Sequence, residues 1–167
     1  MKDNQTLQAG EPASAPLQRE PNPPQRILVA DDDISVLQLS TEVLIDSGYE
    51  VDAAADGVAA WEALQLKAFN LLITDHNMPR LTGVELVKKL RSARMDLPVI
   101  LATGRLPVEE LTQNPSLQLA AMLPKPFSID ELLGTVREVL RATVSVRGQI
   151  EPLPDWRSQP SADGLFL

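Results

Sequence analysis

The chain has 167 residues, no cysteine, one histidine (His76) and a formal net charge of −8, from 15 Lys+Arg against 23 Asp+Glu. That excludes a disulfide framework, thiol catalysis, a cysteine-bound zinc and a multi-histidine metal site, and it makes a poor general binder of nucleic acid. A hydrophobic content of 44% suffices for one packed core, and at ~100–200 residues per domain the length admits one domain with tails. No apolar run approaches the ~20 residues of a membrane span, and the N-terminal stretch MKDNQTLQAGEPASAPLQREPNPPQ lacks the apolar segment of a secretory signal. A cytoplasmic protein with no membrane contact is expected.

Proline marks the expected boundaries. Five of the 14 prolines fall within residues 1–26, in a stretch otherwise rich in Gln, Glu, Ala and Asn. Residues 1–25 are therefore expected to be a disordered tail, 26–143 the folded domain and 144–167 a flexible C-terminal tail. The last segment contains Trp156 and ends in Leu165-Phe166-Leu167, which reads as disorder or as a short docking peptide.

Within the domain, short apolar runs alternate with helical patterns. Ile27–Ala30 reads as a buried strand, followed by a helix whose apolar face is Ile34, Leu37, Leu44 and Ile45, stopped at Gly48. Tyr49–Ala54 is a second strand, and Asp56-Gly57 opens a helix through Leu66. Leu71–Ile73 is a third strand, ending at Thr74-Asp75; a capping box, Thr82 with Glu85, then opens a helix lined by Val84, Val87 and Leu90. Leu97–Ala102 is a fourth strand, Pro107–Gln113 a short helix and Leu119–Leu123 a fifth strand. A second capping box, Ser128 with Glu131, opens the last helix, along Leu132, Val136, Val139 and Leu140. Strands of continuous apolar character between amphipathic helices predict a parallel sheet covered on both faces. The expected fold is α/β: a flavodoxin-like doubly wound (βα)5 domain with a five-stranded parallel sheet in the order 2-1-3-4-5.

Ligands of such sheets sit at the carboxyl ends of the strands. The residues there are Asp31-Asp32-Asp33 after the first strand, Asp75 at the third, Thr103 at the fourth and Lys125 at the fifth. Clustered carboxylates repel one another unless a positive charge resides among them, and oxygen-only ligands suit a hard cation, magnesium above all. The plainer reading is a solvated strand end with Asp33 capping the next helix. The coincidence with Asp75, Thr103 and Lys125 outweighs it.

The segments ILVADDD (27–33), LLITDHNMPRLTGVEL (71–86), VILATG (99–104) and LPKPF (123–127) together resemble the receiver domain of two-component response regulators. The resemblance covers Ile27 to about Arg141. It implies that Asp75 is the phosphoryl acceptor, taking phosphate from a histidine kinase or a histidine phosphotransfer protein. It also implies that Asp32, Asp75 and the backbone carbonyl of Asn77 ligate Mg2+, with Asp31 acting through a water. Lys125 and the Thr103 hydroxyl would then contact the phosphoryl oxygens, helped by the Gly104 N–H, across a cis Lys-Pro bond. His76 is expected to be a partly exposed side chain beside the pocket, and Asn77 and Arg105 to screen the path of an attacking water.

One residue departs from the family pattern: Met122 stands three residues before the lysine, where a Tyr or Phe switch is common, so the aromatic readout is not expected. The leading expectation is a stand-alone, phosphorylatable receiver, not an enzyme beyond its own phosphotransfer and dephosphorylation. It would be a monomer or weak dimer, signalling to an unknown protein target and not to nucleic acid. Two alternatives stand beside it. One is a haloacid-dehalogenase-like, magnesium-dependent phosphatase with Asp31 as nucleophile and Asp33 as acid/base; the other is a scaffold that keeps the fold without phosphorylation.

Overall fold

The computed structural model describes residues 23–148. Five strands, β1 (Arg26–Ala30), β2 (Glu50–Ala54), β3 (Leu71–Asp75), β4 (Val99–Thr103) and β5 (Ala121–Pro124), alternate with α1 (Ile34–Asp46), α2 (Gly57–Leu66), α3 (Gly83–Ser92), α4 (Val108–Gln113) and α5 (Ile129–Gly148). All strand pairs are parallel, in the order β2-β1-β3-β4-β5. The expected fold class and strand order are those observed.

The core follows from the period-2 alternation of side chains along a strand. Leu28, Ala30, Leu72, Val99 and Leu101 join one cluster with Ala60, Leu64, Val84, Val87 and Leu90 from α2 and α3. Their neighbours Ile27, Val29, Leu71, Ile73, Ile100 and Leu123 join a second, with Leu37 and Leu44 of α1 and Leu132, Val136 and Leu140 of α5. β1, β3 and β4 are therefore apolar at nearly every position, because both of their faces are covered.

Local signals set the helix starts. Asp33 caps α1, its side chain accepting from the amides of Ser35 and Val36, and Asp56 caps α2 through the Ala59 amide. The Thr82–Glu85 and Ser128–Glu131 capping boxes both form. Gly48, at φ 91°, turns the chain after α1 in a region that only glycine enters readily.

Four elements differ most from expectation. β4 begins at Val99 rather than Leu97, because Pro98 has no N–H for a ladder and serves only as acceptor, from the Leu72 amide. β5 begins at Ala121 because a 3₁₀ turn at Pro115–Leu117 and a left-handed Gln118 occupy the approach. The α1 face is narrower than expected: Leu37, Ser40 and Leu44 are buried, whereas Ile34 and Ile45 are half exposed. Leu37 and Leu44 lie seven residues apart, nearly two full turns, so they share a line that the other two leave by about 60–100°. α5 runs to Gly148, past the boundary expected at 143. Residues 1–22 and 149–167, with Trp156 and Leu165–Leu167, lie outside the described residues.

The two-sided core makes a testable contrast. Leu101→Ala, at a fully buried position on β4, should cost about 2–5 kcal/mol in urea unfolding. Ile45→Ala, on the exposed flank of α1, should stay within about 0.5 kcal/mol of the parent protein.

Candidate functional site

Strand register brings the distant polar residues together. Ala30 lies opposite Thr74, and Asp75 opposite Ala102, so Asp31 and Asp75 leave adjacent strands at the same level. The ladder continues one residue past the strand ends: the amides of Asp31, His76 and Lys125 donate to the carbonyls of Ala54, Ala102 and Thr103. Asp31, Asp75 and Lys125 follow the alternation of Val29, Ile73 and Leu123, which belong to the cluster beneath α1 and α5. Thr103 follows that of Leu101, in the opposite cluster.

The carboxylates of Asp31, Asp32 and Asp75 each present an oxygen within 4.8 Å of the others. Asp31 and Asp75 are buried and Asp32 is exposed. Lys125 reaches across the sheet end, its Nζ 2.6 Å from Asp31 Oδ2 and 2.9 Å from Asp75 Oδ1. The other Asp31 oxygen accepts from the Asp33 amide at 2.9 Å. The positive charge that the cluster requires is thus partly the protein's own.

Burial works against both charges. It pushes the Asp31 carboxyl above the ordinary carboxylate range, against the pull of Lys125 and the Asp33 amide. It also works to lower the Lys125 ammonium, but the hydrogen bonds to Asp31 and Asp75 outweigh it and hold that group above its ordinary value. Three carboxylates facing one ammonium leave two negative charges uncompensated when all are ionised. An oxygen-only set with that excess fits a hard divalent cation.

Thr103 is buried, and its hydroxyl donates to the Arg105 carbonyl at 2.6 Å while accepting from the Arg105 amide at 3.2 Å. It is held in its own loop, close to the carboxylates in the sheet but not bonded to them. Asn77 is exposed on the β3–α3 loop, and Met78 beside it is buried in the core. The Lys125-Pro126 bond is cis, as the resemblance implies.

One expectation about a neighbouring residue is corrected. His76 is buried, not partly exposed: its Nε2 lies 3.5 Å from Glu110 Oε1, and its Nδ1 is buried without a partner among the described residues. It continues β3 by one ladder bond, to Ala102, and Glu110 brings α4 beside it. Met122 is 43% exposed on the edge strand β5. It borders a groove with Leu111, Pro115 and Leu117.

The phosphatase alternative does not fit the site. It needs the Asp33 carboxylate beside Asp31 as acid/base, yet Asp33 is exposed and its Oδ1 is occupied by the α1 cap. Contacts that sequence reasoning did not find include Arg91. Its guanidinium donates to the carbonyls of Met95, Leu97, Leu117 and Gln118 at the far end of the sheet. No local motif announces such a hub.

Fold and site together define a receiver-type α/β domain, with an acidic cluster and a bridging lysine at the carboxyl edge of a 2-1-3-4-5 sheet. The family model for the response regulator receiver domain matches residues 27–137, and the chain belongs to that family. It is 38% identical over 129 residues to the response regulator MprA of Mycobacterium sp. (strain KMS), covering 77% of this chain and 56% of the relative. The corresponding protein of Mycobacterium ulcerans is 41% identical over 118 residues, covering 71% and 51%. Among solved structures, a chemotaxis response regulator of Vibrio cholerae is 36% identical, with TM-score 0.64, covering 70% of this chain and 98% of that one. A receiver domain protein of Methanospirillum hungatei is 28% identical, with TM-score 0.70, covering 74% and 98%.

The chain is therefore a response-regulator receiver of two-component signalling, and its acidic cluster fits a phosphorylation site. It spans about half the length of the mycobacterial relatives. The expectation that excludes nucleic acid as a partner is overturned: the matched stretch is about half of each mycobacterial response regulator, and the charge of a receiver says nothing of what the remainder contacts. Among the described residues no helix is long and apolar enough to cross a membrane.

The bridge sets a pH dependence. A carboxyl raised on folding binds its proton more tightly in the folded state, so its contribution to stability falls as pH rises from its unfolded value of 3.8. An ammonium raised on folding stabilises below its unfolded value of 10.5 and loses that contribution as pH climbs through the folded one. Lys125→Ala should leave Asp31 and Asp75 facing each other uncompensated and cost about 3 kcal/mol near neutral pH. The deficit should shrink as pH falls and Asp31, whose carboxyl burial raises, takes up a proton. Asp32→Asn, at an exposed member without the lysine contact, should instead raise the melting temperature of the metal-free protein. Melting curves across pH measure both.

Proposed function

We propose that the protein is a phosphoryl-accepting switch, not an enzyme with an external substrate, and that Asp75 is its acceptor. The observation that carries this reading is Lys125 bridging Asp31 and Asp75 at 2.6 and 2.9 Å. A buried carboxylate is held ready beside a cation that a phosphoryl group could attract.

In the transfer step an Asp75 carboxylate oxygen attacks the phosphorus of a phosphohistidine. The O–P bond forms as the P–N bond breaks, and the imidazole leaves with the electron pair and takes up a proton. Phosphoryl transfer asks the protein mainly to position the groups and to counter charge on the equatorial oxygens. Lys125 is placed to exchange its carboxylate contacts for two of those oxygens. The Thr103 hydroxyl, released from the Arg105 carbonyl, would donate to another, and the Gly104 N–H is a further donor. Mg2+ held by Asp32, Asp75 and the Asn77 carbonyl, with Asp31 acting indirectly, would neutralise the charge in excess. A receiver of this kind works in the cytoplasm, and residues 26–143 with the rest of α5 would form the working domain.

Incubation with acetyl phosphate and Mg2+ should add one hydroxylamine-sensitive phosphoryl group, mapped by mass spectrometry to Asp75. Asp75→Asn should abolish it, and Thr103→Ala should accept phosphate more slowly. Label that survives in Asp75→Asn, or that maps to Asp31, would refute the assignment.

A further inference from the structure

The β3–α3 loop carries Asn77, and three observations show what holds it. At its near end the Gly83 amide donates to the His76 carbonyl at 2.9 Å, and Met78 is buried in the core. In its middle the chain runs against the first turn of α2: a Cβ added to Gly57 would stand 2.3 Å from the Leu81 carbonyl oxygen and 2.9 Å from Leu81 Cβ. Beside that contact Arg80, at φ 69°, forms an ion pair with Asp56, the residue that caps α2.

None of these features is explained by local structure alone. Gly57 has no left-handed φ to account for it, and glycine is a poor helix residue, so the close approach of the loop is what requires it. A residue with a side chain rarely adopts the conformation of Arg80, and here its guanidinium reaches a carboxylate that is 14% exposed. Asp56 thus serves two chain segments at once, with Oδ1 on the Ala59 amide and Oδ2 on Arg80.

We propose that the first turn of α2 is the backstop of the β3–α3 loop. Gly57 and the Asp56–Arg80 pair are positioning residues that fix the Asn77 backbone carbonyl relative to Asp75, and so tune the affinity of the site for a divalent cation. The inference rests on the reading of the acidic cluster given above. Outer supports of a metal site typically change its affinity by about 10–100-fold when removed. The effect here is set near the low end, because one loop carbonyl is displaced and the carboxylates stay in place.

The test is calorimetric titration of the full chain with Mg2+, alongside amide hydrogen exchange of the metal-free protein. Gly57→Ala should weaken Mg2+ binding about 10-fold and speed exchange at the Gly83 amide. Arg80→Asn keeps a residue that tolerates the left-handed conformation while removing the ion pair. It should weaken binding less with little change in melting temperature, and Arg80→Lys should restore most of the affinity. If Gly57→Ala fails to fold, the Arg80 pair of variants decides. A purely structural role predicts lower melting temperatures with unchanged Mg2+ affinity, and that result overturns the inference. A parent protein that binds no Mg2+ removes the reading of the cluster and this inference with it. A parent that binds Mg2+, with variants that bind equally well, removes only the inference.

Discussion

The site depends on one buried ammonium shared by two carboxylates. Asp31 and Asp75 are brought to the same level by the β1–β3 register, and each is almost wholly removed from water. Without Lys125, two like charges would face each other at the end of a parallel sheet, where desolvation already penalises them. With it, the cluster is stable enough to fold and still carries excess negative charge. That residual charge is what makes the strand ends useful: it fits a divalent cation, and the bridging cation is available to an incoming anion.

The architecture delivers this arrangement through alternation. Residues of one parity on β1, β3 and β5 bury beneath α1 and α5, and continuing that parity to the end of β3 and one step past β1 and β5 brings Asp75, Asp31 and Lys125 together. The opposite parity on β4 puts Thr103 on the other side of the sheet edge, tied to its own loop. Acceptor and counter-charge thus share one face and the hydroxyl lies on the other. His76, buried next to Asp75 and facing Glu110, joins the site-bearing strand to α4.

Much of this could be read from the chain. Apolar runs located all five strands, and the residues at or just past the carboxyl ends of β1, β3, β4 and β5 gave the polar set, because in a doubly wound sheet those places face the ligand. Both capping boxes fixed helix starts, since their signal is wholly local. What could not be read depends on which distant backbone comes close. The α1 face was drawn too wide, because Ile34 and Ile45 match in hydrophobicity but miss the line that α5 covers. His76 gave no sign of burial, because its neighbour Glu110 lies 34 positions away in the chain. Gly57 opens a helix in the local pattern, and the Leu81 carbonyl that stands against it comes from a segment 24 positions away. The exclusion of nucleic acid failed for a different reason: net charge describes a domain, not the remainder of longer relatives.

The most direct test of the central claim uses Lys125→Met, which removes the ammonium but keeps an unbranched apolar side chain. If Lys125 is the resident counter-charge of the cluster and also the ligand of the transferred group, the variant should bind Mg2+ more tightly than the parent. It should also accept phosphate from acetyl phosphate far more slowly. Binding and transfer moving in opposite directions is the predicted result. Loss of both together, or no change in either, would contradict the account.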